Sequence, residues 1–157
     1  MIEIYTDGAV SGNGTANSPG SAAFVVLKDG EKIYQEVYSH SHATNQMMEL
    51  FAIATACEYM ARVHKGKNVT IYSDSAYAIN CYKQNWWRNW QKNGWRNAKK
   101  QPVANKELWE RIIPFFQNEN FSFQKVKGHS ADDTSAAYWN NYVDKLAVSG
   151  KYYASTM

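Results

Sequence analysis

The sequence contains few of the features that mark a disulfide-bonded, zinc-binding or membrane protein. Its two cysteines, Cys57 and Cys81, lie in apolar segments and are not spaced as a metal clip, so we expect reduced, packed thiols. No apolar run approaches the roughly 18 to 20 residues of a membrane span, and residues 1–5 carry no basic leader. A cytoplasmic protein is therefore expected.

Acidic residues are missing from one long segment, residues 75–106, although the net charge of the whole chain is only +3. The segment carries seven positive side chains, namely Lys83, Arg88, Lys92, Arg96, Lys99, Lys100 and Lys106. Tryptophans at positions 86, 87, 90 and 95 are interleaved with them. Positive charge mixed with planar side chains predicts a nucleic-acid partner. The alternative is that Trp86 and Trp90 pack a helix onto its neighbours, and the two uses are compatible.

Length and composition indicate one domain, residues 1–157. A chain of this size buries roughly two thirds of its unfolded surface, which is enough for one core. Its 45% hydrophobic and 20% charged residues are ordinary for a globular protein.

Apolar periodicity predicts the order of strands and helices. Alternating residues at 2–6, 21–28 and 32–38 indicate an antiparallel meander, with a long turn over the glycine-rich residues 8–20. Helical spacing predicts the main helix at 45–63, followed by a strand at 69–73 parallel to the first. The later elements are predicted as helices at 75–82, 86–93, 105–117 and 138–149 and a strand at 121–126. The fold class is α/β, with a five-stranded mixed sheet (three antiparallel strands plus two parallel) flanked by helices.

A short repeat points to a site at the sheet edge. Residues 4–7 (Ile-Tyr-Thr-Asp) and 71–74 (Ile-Tyr-Ser-Asp) each end an apolar strand with an aspartate. If the strands are parallel neighbours, Asp7 and Asp74 stand about 5 Å apart. Two carboxylates this close repel unless a cation binds, and hard oxygen ligands favour Mg²⁺ or Mn²⁺. The alternative is that Asp74 caps a helix and Asp7 starts a turn.

Three further residues are candidates on their own chemistry. Glu49 lies in an apolar helical segment, where an ionised group needs a cation or a hydrogen-bonding partner, unless it reaches solvent at the helix edge. His129 follows the fifth strand at a polar loop and suits proton transfer, although other histidines here have no motif. Asp144 lies on an amphipathic helix, and spacing alone does not favour it over Asp132 or Asp133.

Several motifs in order resemble type 1 ribonuclease H, an RNase H-like fold that occurs as free cellular enzymes and as the terminal domain of reverse transcriptases. The resemblance covers nearly the whole chain. It is carried by residues 5–9 (Tyr-Thr-Asp-Gly-Ala), 44–46 (Thr-Asn-Gln), 48–50 (Met-Glu-Leu), 72–75 (Tyr-Ser-Asp-Ser), 90–109, 126–129 (Val-Lys-Gly-His) and 143–147 (Val-Asp-Lys-Leu-Ala).

The resemblance implies an endonuclease that cuts the RNA strand of RNA/DNA hybrids and leaves 5′-phosphate and 3′-hydroxyl ends. It implies two Mg²⁺ ions, with Mn²⁺ as a substitute, held by Asp7, Glu49, Asp74 and Asp144. His129 would belong to a catalytic loop, and residues 83–106 would form a basic protrusion. The implied substrate contacts are Gly8, Ala9, Asn13, Asn45 and Gln46 in the minor groove, Trp86 at the DNA strand, and Thr44 and Asn105 at a DNA phosphate.

Some features depart from the family pattern. Residues 130–143 are predicted as a long insertion after His129. Met47 stands where many members have arginine, and His42 where some have an arginine for phosphate binding. A catalytically silent hybrid-binding module and a DNA-cutting resolvase or integrase on the same fold are the alternatives. We expect a monomer without a stable protein partner or a membrane; if the chain is a domain of a polyprotein, a polymerase would be attached.

Overall fold

A computed structural model describes residues 1–12, 18–126 and 135–154, with side chains to Lys151. The strands are β1 (Ile2–Val10), β2 (Ser18–Lys28), β3 (Glu31–Ala43), β4 (Val69–Ser73) and β5 (Phe121–Lys125). The helices are α1 (Asn45–Val63), α2 (Ala76–Gln84), α3 (Trp86–Lys92), α4 (Lys106–Phe116) and α5 (Ser135–Ala154).

The five strands form one mixed sheet in the order β3-β2-β1-β4-β5. β1 and β3 are both antiparallel to β2, whereas β4 is parallel to β1 and β5 is parallel to β4. The long helix α1 connects β3 to β4 across the sheet, and a long connection of this kind is needed for β4 to pair in parallel with β1. The predicted fold class and the pairing of the first and fourth strands are confirmed.

Both faces of the sheet are covered, which explains why β2 is apolar along most of its length. Phe24 and Val26 point to the core formed with α1, α2, α3 and α4. Ala23, Val25 and Leu27 point to a second core formed with α5. Side chains alternate between the faces of a strand, so a strand buried on both sides has no polar face.

The aspartate repeat is in register within the sheet. Ile4 pairs with Ile71 and Tyr5 with Tyr72, and this is the last pair of the β1–β4 ladder. The two tyrosine rings stack with centroids 4.5 Å apart. Asp7 and Asp74 therefore each lie two residues beyond the last pair of the ladder, where the two parallel strands separate.

Three predicted boundaries are wrong in ways that matter for the site. The predicted turn over residues 8–20 is partly strand, because residues 8–10 continue to pair with residues 20–22 of β2. The last helix begins at Ser135, so much of the predicted 130–143 insertion is helical. β3 extends to Ala43 and thereby leads directly into α1.

Two predictions about composition are also tested by the fold. Both cysteines are buried free thiols, as expected. Among the described residues, none of the helices has the length and apolar character needed to cross a membrane.

Candidate metal centre

Three carboxylates converge where β1 and β4 separate. Asp7 lies on β1, Glu49 in the first turns of α1, and Asp74 directly after β4. Each offers one oxygen, and these oxygens all lie within 4.8 Å of one another. The separation that the repeat predicted for Asp7 and Asp74 is thus observed, and α1 adds Glu49 to the pair.

Gly8 allows β1 and α1 to approach closely enough to form this group. A Cβ atom at Gly8 would lie 2.5 Å from the backbone nitrogen of Glu49 and 2.5 Å from the carbonyl carbon of Met48. The Gly8 N–H donates to Asp7 Oδ1 at 2.9 Å and to Glu49 Oε1 at 3.2 Å. One backbone donor therefore orients two of the three carboxylates.

The electrostatics of the group favour a cation. Asp7 is only 2% exposed, and burial together with the charges of Glu49 and Asp74 raises its pKa far above the usual value. Burial and Asp74 likewise raise the pKa of Glu49, to about 8. Glu49 Oε2 is buried and has no hydrogen-bond partner among the described residues. Buried carboxylates that repel one another, with an acceptor left over, suit a hard divalent cation.

Asp144 approaches the same group from α5. It is not one of the three mutually close carboxylates, but a side-chain hydrogen bond with Asp144 contributes to the raised pKa of Asp7. Its charge also contributes to the raised pKa of Glu49. The structure therefore brings all four predicted carboxylates to one end of the sheet.

The position of Asp144 depends on how α5 is fastened to the sheet. Gly150 packs against β2 and β3, and a Cβ atom there would lie 2.7 Å from both Ser21 Cβ and Val37 Cγ1. The Ser21 hydroxyl donates to the carbonyl of Ala147, and the Ser39 hydroxyl donates to the carbonyl of Gly150 at 2.9 Å. These contacts fix the height and rotation of the helix.

Two predicted site residues, His129 and Asn13, lie outside the described residues. Their assigned roles stay predictions from the sequence.

The predicted substrate residues fall mainly at the starts of two helices. Thr44 is the N-cap of α1, and its hydroxyl accepts from the Met47 N–H at 3.2 Å. Asn45 is exposed and Gln46 half-buried in the first turn of α1. Asn105 precedes α4 and donates through Nδ2 to Gln46 Oε1 at 3.1 Å. Gly8 and Ala9 continue β1 beside the carboxylates.

The tryptophans of the basic segment divide between packing and surface. Trp87 and Trp90 are buried in the core, whereas Trp86 and Trp95 are half-buried. Trp86 and Trp90 border an open groove of about 420 Å³ together with Asn93 and Arg96. All seven lysine and arginine side chains of residues 83–106 are exposed. The packing role is thus observed for Trp87 and Trp90, and contact of the tryptophans with nucleic acid stays a prediction.

Two functional features were missed by the sequence reasoning. The steric role of Gly8 and the anchoring of α5 through Gly150 both arise from contacts between distant elements. Gly8 directly after a candidate ligand was a usable signal, because glycine often marks a close backbone approach. Gly150, which follows the predicted last helix at 138–149, gave no comparable signal.

The geometry agrees with comparisons to known proteins. The sequence matches the RNase H family over residues 1–152. It is 43% identical over 147 residues to the ribonuclease H of Syntrophomonas wolfei subsp. wolfei, covering 93% of this chain and 92% of that protein.

Two solved foamy viral structures share the fold. The RNase H domain of prototype foamy virus superposes with a TM-score of 0.80 at 26% identity, covering 97% of this chain and 94% of the domain. The foamy viral protease–reverse transcriptase in complex with an RNA/DNA hybrid gives a TM-score of 0.81 at 22% identity, covering 97% of this chain and 20% of the viral protein.

Proposed function

This chain belongs to the ribonuclease H family, and we propose that it hydrolyses the RNA strand of RNA/DNA hybrids at the centre formed by Asp7, Glu49, Asp74 and Asp144. Its relatives named ribonuclease H are enzymes, and the foamy viral relative of the same fold has been solved with an RNA/DNA hybrid. The observation that carries the proposal is the convergence of three carboxylate oxygens within 4.8 Å.

The side chains at the centre fit divalent metal ions. The donor set is all oxygen, which matches Mg²⁺ and Mn²⁺ rather than zinc, and Glu49 Oε2 is a buried acceptor with no partner among the described residues. Two such ions held by these carboxylates would supply Lewis-acid chemistry for activating water and neutralising charge on the scissile phosphate and its leaving oxygen. We propose 5′-phosphate and 3′-hydroxyl products on this basis.

The protein residues supply position and charge. The Gly8 N–H holds one oxygen each of Asp7 and Glu49, which leaves one oxygen of each carboxylate without a bond to this donor. Asp144 adds a fourth carboxylate from α5, and the packing of Gly150 against the sheet holds that helix in place. Because these groups come from β1, α1, β4 and α5, the centre exists only in the folded chain.

Substrate contacts are proposed on two sides of this centre. Gly8, Ala9, Asn45 and Gln46 are assigned to the minor groove, where 2′-hydroxyls distinguish RNA from DNA. Thr44, Trp86 and Asn105 are assigned to the DNA strand, with the exposed positive side chains of residues 83–106 as a basic protrusion. The roles of Asn13 and His129, a single catalytic domain, a monomeric state and a cytoplasmic location stay predictions from the sequence.

The test is cleavage of end-labelled RNA/DNA hybrid beside single-stranded RNA, duplex RNA and duplex DNA, with Mg²⁺ or with chelator. The proposal expects metal-dependent cutting of the RNA strand in the hybrid alone, and product ends that phosphatase treatment shifts because they carry a 5′-phosphate. Cutting of duplex DNA would favour a resolvase-like enzyme. Tight hybrid binding without cleavage would favour a binding module.

A further inference from the structure

A hydrogen bond between two side-chain amides joins the start of α1 to the start of α4. Asn105 Nδ2 donates to Gln46 Oε1 at 3.1 Å, and both residues are half-buried. Asn105 has a left-handed backbone with φ of 61°, a conformation that asparagine tolerates better than most residues. The backbone and the side chain of Asn105 are thus both suited to this contact between segments 59 residues apart.

The direction of the bond decides what each amide offers outward. Gln46 uses its carbonyl oxygen for Asn105, so its NH₂ group remains as a donor. Minor-groove edges and 2′-hydroxyls both present acceptors to such a donor. Asn105 keeps one N–H, which suits a phosphate oxygen because phosphate only accepts. The pair therefore presents donors to two different chemical groups.

A second contact ties the same helices together further along. Arg111 on α4 donates to both carboxylate oxygens of Glu58 on α1, at 2.6 and 2.9 Å. Its guanidinium also lies over the ring of Phe51, with 5.4 Å to the centroid. A bidentate pair restrains orientation as well as distance. The orientation of α1 relative to α4 is therefore restrained by this second contact as well as by the amide pair.

We propose that Gln46 and Asn105 act as one positioning pair, which fixes the separation between the contact to the RNA strand and the contact to the DNA strand. This inference rests on the proposed function, which assigns Gln46 to the RNA side and Asn105 to a DNA phosphate. A fixed separation favours the wide minor groove of an A-like hybrid over the narrow groove of B-form DNA. Groove width then distinguishes the hybrid from B-form duplex DNA, in addition to the contacts that each strand makes.

The experiment is a double-mutant cycle with Gln46→Ala, Asn105→Gly and the double variant. Glycine is used at position 105 because it accepts the left-handed backbone, so that only the side chain is removed. Each single variant is expected to raise KM for the hybrid about fivefold, with kcat within about twofold. The double variant is expected to stay near fivefold rather than reach about 25-fold, a coupling of about 1 kcal/mol.

Two further measurements separate positioning from a general structural effect. Binding of the single variants is measured in Ca²⁺. Their affinity for the hybrid is expected to fall but their affinity for duplex DNA is not, so that the preference for hybrid over duplex DNA falls about fivefold. Gln124→Ala removes an exposed amide on β5, and adding it to Gln46→Ala is expected to change nothing further. If Gln46→Ala or Asn105→Gly melts well below the wild type, Gln46→Asn takes the place of Gln46→Ala in the cycle, because it shortens the side chain and keeps the amide.

The inference would be overturned if the KM increases of the two single variants multiply in the double variant. It would also be overturned if the variants lose equal affinity for hybrid and for duplex DNA. Either result means that the two amides act independently of each other's position. A wild-type protein that does not cleave hybrid would instead count against the proposed function. The two failures are therefore distinguishable in the same set of measurements.

Discussion

Replacing Asp7 by asparagine is expected to stabilise the metal-free protein while abolishing cleavage. Asn keeps an oxygen that accepts from the Gly8 N–H, the bond that Asp7 Oδ1 makes at 2.9 Å. It removes one of three carboxylates whose oxygens lie within 4.8 Å of one another. At an effective dielectric constant of about 20, each such pair of charges repels by about 3 kcal/mol.

The net gain is smaller than the repulsion, because the folded protein lowers its charge by retaining a proton. Burial and the neighbouring carboxylates raise the pKa of Asp7, so the folded chain binds a proton that the unfolded chain releases above its ordinary pKa of 3.8. Asp7 therefore destabilises the metal-free fold increasingly as pH rises from 5 to 8. We expect Asp7→Asn to gain about 1–3 kcal/mol at pH 7, or roughly 2–12 °C in Tm.

Thermal unfolding with chelator, at pH 5 and at pH 8, measures this effect. The advantage of Asp7→Asn is expected to grow with pH and to shrink when Mg²⁺ is added, because the ion stabilises the wild type by binding only its folded state. Asp29→Asn is the matched control, since Asp29 is exposed and pairs with the N-terminal amine; it should give no gain. If Asp7→Asn lowers Tm in chelator, the assumed repulsion is wrong.

Three other changes follow from the same contacts. Gly8→Ala is expected to lose roughly 1–3 kcal/mol or more of stability and most activity, because the new methyl group meets the backbone nitrogen of Glu49; circular dichroism melts and cleavage rates measure both, and an unchanged Tm would contradict the close approach. Replacing exposed Lys99 and Lys100 by glutamine should reduce the slope of log affinity for hybrid against log salt by up to about two, and an unchanged slope would remove them from the interface. Arg111→Lys breaks a bidentate but partly exposed ion pair, so we expect a loss of under about 1 kcal/mol; denaturant unfolding would show whether it is larger.

The sequence was sufficient for the fold order and for most of the centre. Asp7 and Asp74 could be paired because their two strands share a repeat, and that repeat is in register in the sheet. Glu49 could be suspected because its helical segment is otherwise apolar. Residues 8–10 were predicted as a turn because glycine disfavours strands, but pairing with β2 overrides that local preference.

The approach of Asp144 could not be derived from spacing. A helix offers many positions, and which face meets the sheet is decided by contacts such as Gly150 against Ser21. Only the family resemblance selected Asp144 over its acidic neighbours. The Asn105–Gln46 bond is likewise a tertiary contact between segments that no local pattern connects.

The central claim, that converging carboxylates form the metal centre for RNA-strand hydrolysis, is tested most directly by single-turnover cleavage of labelled hybrid across a Mg²⁺ titration. Wild type and Asp74→Asn would be compared at saturating protein, so that binding does not limit the rate. We predict a metal-dependent rate for the wild type and a loss of at least about a hundredfold for the variant, with hybrid binding retained. A variant that cleaves at nearly the wild-type rate would contradict the account.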